Sequence, residues 1–193
     1  MLGLALATDP RWLNIAQKNI REILIDHAYC EQKAASSCIS LIIQYPENDI
    51  LVKTLTPIVS EEWSHFERVL EKLRVRGWTL GFQRKDEYIA KLNSLMKQGG
   101  NRKQQLVEKL LMNALIEARS CERFRLLAKE IPDDDLSAFY HELMVSEAGH
   151  YKVFLSLARQ ASDPDRVEAR WKELLLQESP VIESLEVRSD RLH

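Results

Sequence analysis

Apolar residues recur at three- and four-residue spacing along most of the chain, the mark of amphipathic helices. Asp9-Pro10 reads as an N-cap followed by a proline in the first helical position. From there to Tyr45 no glycine or proline intervenes, which predicts one very long helix or a short helix running into a long one. Tyr45-Pro46 ends that stretch. Asn48 can cap a second helix through Arg76, with Gly77 at the C′ position and Pro57 expected to kink or break it near its first turns. Gly77, Gly81, Gly99 and Gly100 then punctuate a different kind of segment, with room for a short helix from about Asp86 to Met96 carrying Tyr88, Ile89, Leu92, Leu95 and Met96 at helical spacing. A further helix follows from about Lys103 to Lys129, closed by Pro132. Asp133, Asp134 and Asp135 supply the acidic first turn of another that runs to about Gln160. Asp163-Pro164 opens an amphipathic helix through Gln177 (Val167, Trp171, Leu174, Leu175), and little pattern is left after Pro180. Four long helices with extra short ones describe an all-α four-helix bundle with an insertion at about 77–102 between its two helix pairs.

Composition agrees with this pattern. The 193 residues suit one domain, and 6 Gly with 6 Pro are too few to punctuate a many-stranded sandwich or barrel. Hydrophobic residues at 45% and charged residues at 29% are ordinary for a soluble protein, and a formal net charge of -2 shows no overall basic character. The stretch Met1 to Ala7 is apolar but has no basic flank and meets Thr8-Asp9-Pro10 at once, so it reads as neither signal peptide nor anchor. No window approaches the roughly 18 apolar residues of a membrane span. Three cysteines, Cys30, Cys38 and Cys121, sit inside helical patterns, which suits buried thiols in the cytoplasm rather than a disulfide frame.

Two Glu-x-x-His motifs stand out, Glu62-Trp63-Ser64-His65 and Glu147-Ala148-Gly149-His150. Residues three apart share a helix face, so each motif can aim a carboxylate and an imidazole at one point. With 19 Glu and 5 His in the chain, chance alone supplies about half of one such motif, so each is weak by itself. Their spacing strengthens them: Glu31 precedes Glu62 by 31 residues and Glu117 precedes Glu147 by 30, an approximate repeat of one glutamate helix followed by one Glu-x-x-His helix. All four glutamates fall among apolar neighbours, Ala28, Ala35 and Cys38 around the first, Leu143, Met144 and Phe154 around the last. Any one of them alone reads as a solvated surface residue. Four carboxylates in an apolar interior repel one another and need about four compensating positive charges. The same stripes contain no equally well placed Lys or Arg, whereas two divalent cations supply +4 against -4. Four carboxylates and two imidazoles around two metals is the di-iron or di-manganese set of ferritin-like bundles, and zinc prefers more nitrogen or sulfur. His27 and His141 lie outside the motifs and read as structural. Glu61 and Ser146 precede the motif glutamates and are candidates to orient His150 and His65. Cys38 and Cys121 lie one or two turns from Glu31 and Glu117, which places them beside the pocket.

A carboxylate-rich di-iron pair uses O2 for hydroxylation, desaturation, radical generation or iron oxidation, and the ligands do not choose among these. No glycine-rich dinucleotide fingerprint and no Cys-x-x-Cys pair occurs, so the chain binds no flavin or nicotinamide of its own and a separate reductase is expected to deliver electrons. The strings Asp26-His27-Ala28-Tyr29-Cys30-Glu31-Gln32-Lys33-Ala34-Ala35, Glu61-Glu62-Trp63-Ser64-His65-Phe66, Ala114-Leu115-Ile116-Glu117-Ala118-Arg119-Ser120-Cys121-Glu122-Arg123-Phe124 and Ser146-Glu147-Ala148-Gly149-His150-Tyr151 resemble the MiaE family. These are tRNA hydroxylases acting on 2-methylthio-isopentenyladenosine next to the anticodon. The resemblance spans roughly Asp9 to Gln160, including Arg84-Lys85-Asp86-Glu87-Tyr88. It implies a ferritin-like non-haem di-iron monooxygenase with O2 as co-substrate and Glu31, Glu62, His65, Glu117, Glu147 and His150 as ligands. A monomer or weak dimer is expected. The main alternative is a ferritin-like iron-oxidising or storage protein without an RNA substrate; another is a metal-free helical interaction module.

The insertion fits an RNA partner. From Lys72 to Lys103 nine basic residues (Lys72, Arg74, Arg76, Arg84, Lys85, Lys91, Lys97, Arg102, Lys103) face two acidic ones, a local charge of +7, so the remainder of the chain carries -9. The near-neutral total therefore leaves a nucleic-acid partner open. Trp78, Phe82 and Tyr88 are interleaved with those charges, and cations for phosphates with rings for unpaired bases suit an anticodon loop.

Overall fold

The structure is a computed structural model that describes residues 2–185 and 192. Among these residues it is all-α, with α1 (Pro10–Lys18), α2 (Ile20–Gln44), α3 (Asp49–Arg74), α4 (Glu87–Asn93), α5 (Arg102–Glu130), α6 (Asp134–Ala161) and α7 (Pro164–Glu183). The first helical stretch is the short-then-long alternative. The break falls at Asn19, whose backbone leaves helical geometry while its Nδ2 donates to the Ile15 carbonyl at 2.9 Å. Side-chain caps explain the other starts. Asn48 accepts from the Leu51 amide at 3.1 Å, Asp86 from Ile89 at 3.0 Å, Asp133 from Leu136 at 3.1 Å, and Asp163 from Asp165 and Arg166. Asn101 and Gln104 form a reciprocal capping box that starts α5.

Two helices depart from the proline-based expectation. α3 runs unbroken through Pro57, and α7 runs past Pro180 to Glu183 instead of ending near Gln177. A proline deprives the carbonyl four residues earlier of its partner. Here those residues, Lys53 and Leu176, are exposed, so water can satisfy the released carbonyls, while Ile58 and Val181 keep the opposite face buried.

The chain forms two compact units. Among the described residues one comprises Asn14–Lys85 with Leu192; the other comprises 2–13 and 86–185. The basic insertion is divided between them at Lys85. In the first, α2 packs on α3 and buries Leu24, Ala28, Ala35, Cys38 and Leu41 of α2 and Leu51, Leu55, Val69 and Leu73 of α3. Gly77, at φ +70, closes α3 as the C′ residue: its amide donates to the Arg74 carbonyl and the Trp78 amide to that of Leu73. The loop that follows is tied to α2 twice. The Tyr29 hydroxyl donates to the Gly81 carbonyl at 2.8 Å, and Arg84 pairs with Glu22. The Leu192 amide donates to Asp26 at 2.8 Å.

In the second unit α5 packs on α6, and α7 contacts α4, α5 and α6. Buried ion pairs join these elements. Arg119 and Glu178 are both 0% exposed and meet through two hydrogen bonds of 2.9 and 2.7 Å. Arg119 also pairs with Glu122 and donates to the Leu6 carbonyl, Glu122 accepts from the Thr8 amide and hydroxyl, and the Tyr88 hydroxyl donates to Glu178. Arg123 lies over the Trp12 ring at 4.9 Å; burial, and after it the neighbouring Arg119, push its pKa down to about 10. Arg170 and Glu108 form a second bidentate pair, both bonds 2.7 Å.

Candidate metal centre

In the α2–α3 unit, Glu31 comes from the middle of α2 and Glu62 and His65 from the middle of α3. All three are buried, and each offers a ligand atom within 4.8 Å of the others. His65 Nδ1 stands 3.5 Å from Glu31 Oε2 and 3.6 Å from Glu62 Oε2. In the α5–α6 unit, Glu117 of α5 and Glu147 and His150 of α6 form the same kind of buried triad within the same distance, with His150 Nδ1 3.9 Å from Glu147 Oε2. The repeat read from the spacing is therefore a repeat of geometry. The Glu-x-x-His spacing places acid and imidazole on one turn, and the adjacent helix brings the second carboxylate.

The donor chemistry suits a metal ion. Two carboxylates with one neutral imidazole give each triad a charge of -2, matched by one divalent cation, and the O/O/N set is that of non-haem iron or manganese. Atoms bound at about 2.0–2.2 Å from one ion lie roughly 3–4 Å apart, so the triads need only small side-chain movements to close on a cation. Arg119 and Arg123 are buried on α5, the helix that carries Glu117. Their charge is answered within their own network by Glu178 and Glu122.

His27, read as structural, hydrogen-bonds a member of the first triad. It is fully buried, and its Nε2 sits 2.5 Å from Glu31 Oε1, one helical turn along α2. Burial, with His65 nearby, pushes its pKa down to about 3, so the neutral ring can donate its Nε2–H to the carboxylate. The four-residue separation carried that signal. Glu61 reaches toward His65 of its own helix at 4.0 Å, and its carboxylate is 49% exposed; Ser146 is half-buried on α6. Cys38 and Cys121 are both buried. Burial and then the charge of Glu62 push the Cys38 thiol up to about 12; burial and then Glu147 push Cys121 to about 11, with its Sγ 3.3 Å from the Met144 carbonyl.

The basic segment is more heavily committed internally than its sequence implies. Tyr88 is 1% exposed with its hydroxyl on Glu178, so it cannot stack on a base. Arg84 pairs with Glu22, Lys97 with Glu173 at 2.7 Å and Arg74 with Glu71 at 2.5 Å, while Arg76 donates to the Lys72 carbonyl and Lys91 to Ser184. Lys85, Arg102 and Lys103 are exposed, Trp78 is half-buried, and Phe82 is 95% exposed. The exposed pairs are worth little in water and can yield to a phosphate.

Comparison with known proteins narrows the reading. A family model described as tRNA-(MS[2]IO[6]A)-hydroxylase (MiaE) matches residues 3–193. The tRNA 2-(methylsulfanyl)-N(6)-isopentenyladenosine(37) hydroxylase of Pseudomonas putida is 38% identical over 160 residues, covering 83% of this chain and 77% of that protein. The hydroxylase of the same description from Salmonella typhimurium is 28% identical over 207 residues, 82% of this chain and 76% of that one. A solved structure, Protein 43 with aldehyde deformylating oxygenase activity from Synechococcus, aligns with a TM-score of 0.93 at 34% identity, covering 98% of this chain and 94% of that chain. The all-α fold is thus of the ferritin-like oxygenase type. No helix among the described residues is long and apolar enough to cross a membrane.

Proposed function

Because the chain belongs to the MiaE family of tRNA hydroxylases, we propose that it inserts one oxygen atom of O2 into the isopentenyl group of 2-methylthio-isopentenyladenosine beside the tRNA anticodon. In this reading Glu31, Glu62 and His65 hold one iron ion and Glu117, Glu147 and His150 the other. The observation that carries it is the pair of buried Glu-Glu-His triads, one in each helix pair, in a chain whose curated relatives hydroxylate this nucleoside.

Iron bound there would accept electrons from a reductase and pass them to O2, supplying the redox chemistry that the side chains lack. The protein's residues do the rest. The hydrogen bond from His27 fixes one oxygen of Glu31 and leaves the other free to face the metal. Buried apolar residues on the same helices, Ala28 and Ala35 on α2 and Ala114 and Phe154 on α5 and α6, keep water from the ligands of each triad. The exposed cations of the basic segment hold the RNA backbone. Oxygen insertion into an allylic C–H bond gives the alcohol and, with two electrons and two protons, one water; the electrons come from a separate reductase in the cytoplasm.

The test is to incubate reduced, iron-loaded protein with O2 and hypomodified tRNA and to analyse the nucleosides by mass spectrometry. The expected result is the mass of one added oxygen on the isopentenyl nucleoside. Iron oxidation without that gain supports the iron-storage alternative instead. A narrower expectation concerns His27: His27→Ala should weaken iron binding by about 10–100-fold, as loss of an outer hydrogen bond to a ligand does, with His27→Gln recovering part of it in a metal titration.

A further inference from the structure

We infer that Phe82 is the base-stacking post of the RNA-binding face. It sits in the loop between α3 and α4, and its ring is 95% exposed, the most exposed large hydrophobic side chain among the described residues. A ring this bare on a slack loop would fold back onto the nearest apolar surface. Here the loop is fastened to α2 on both sides of the ring. On one side the Gly81 carbonyl accepts from the Tyr29 hydroxyl at 2.8 Å, and on the other Arg84 pairs with Glu22. Gly81, at φ +70, supplies the turn between them; a Cβ there would meet Ile25 only at 3.9 Å, so the backbone angle rather than crowding calls for glycine. The result is an apolar ring held away from the protein on two struts.

Charge identifies what the ring receives. Apart from the Arg84 strut, residues 72–85 contain Lys72, Arg74, Arg76 and Lys85 and no acidic residue, which suits a polyanion and disfavours a basic or neutral apolar peptide. An aromatic face beside cations is the recognition chemistry of single-stranded RNA, where an unstacked base covers the ring and phosphates meet the charges. Of the three rings in the basic segment only Phe82 can do this, since Tyr88 is buried and Trp78 half-buried. One strut, Tyr29, is two residues from Glu31 on the same helix, so the loop registers the stacked base against the helix that carries a candidate metal ligand. The inference rests on the tRNA reading above and adds the residue that sets how the loop is seated.

The experiment uses the full-length, iron-loaded protein with an anticodon stem-loop RNA and with hypomodified tRNA. Phe82→Ala should raise Kd and KM by roughly 5–150-fold, the range for losing one base–aromatic stack, with kcat at saturating tRNA and the melting temperature unchanged. Phe82→Trp should restore affinity and show indole emission quenched by RNA. Tyr29→Phe, which cuts one strut and leaves the ring, should give a smaller rise in KM. Wild-type affinity in Phe82→Ala overturns this inference alone. So does a defect confined to electron delivery, because it makes Phe82 a protein-docking contact. Wild-type protein that neither binds nor oxidises the RNA overturns the tRNA reading as well.

Discussion

Glu62→Gln and Glu147→Gln are each expected to abolish hydroxylation and to reduce iron affinity by more than the roughly 100-fold that loss of an outer-sphere partner produces. The apo-protein should at the same time melt no lower than wild type. The second half follows from burial. Glu62 and Glu147 are both nearly inaccessible, and each shares its triad with a second buried carboxylate, so without metal a charge at either is desolvated and set against a like neighbour. A glutamine keeps the volume and removes the charge, relieving repulsion while deleting the strongest donor. Iron content and calorimetry on one preparation measure both halves. Iron retained with full turnover would sink the ligand assignment; iron lost with collapse of the apo fold would show that these carboxylates are structural.

The largest effect on stability belongs to Arg119. Arg119→Ala strands Glu178 in the interior, with the Tyr88 hydroxyl left as a partner, and removes one partner of Glu122. Breaking a buried pair by deleting one member costs about 3–5 kcal/mol, which for a chain of this length lowers Tm by roughly 6–20 °C. Replacing both members with apolar residues of similar size, Arg119→Met with Glu178→Leu, should recover most of that loss, because no charge is left without its partner. Thermal unfolding of the single and double variants separates the cases. A single variant that melts with wild type would mean that water reaches Glu178.

Much of this was legible in the sequence because helices advertise themselves locally. The Glu-x-x-His pairs, the glutamates 30 and 31 residues upstream, and the caps at Asn48, Asp133 and Asp163 all depend on spacing within a few turns, and the structure reproduces each. What failed depends on partners distant in sequence. Tyr88 read as a stacking ring because its neighbours are charged; its burial is decided by Glu178, ninety residues away. Arg119 and Arg123 went unnoticed as buried cations because an arginine in a helical pattern reads as surface until Glu178 and the Thr8 segment meet it. Pro57 and Pro180 read as breaks because sequence does not show which carbonyl faces solvent. His27 was near enough to Glu31 to be noticed, but an imidazole one turn away is a buttress only in the right rotamer.

The thiols beside the triads carry a consequence for the longevity of the catalyst. Oxidants attack thiolate far faster than thiol, and Cys38 and Cys121, held near 12 and 11, stay protonated at any physiological pH. The carboxylates that serve as candidate metal ligands also help to suppress that ionisation. On the proposed O2 chemistry, Cys38 and Cys121 are thereby kept in their least vulnerable form, and oxidation is expected first at Cys30, the more accessible of the three.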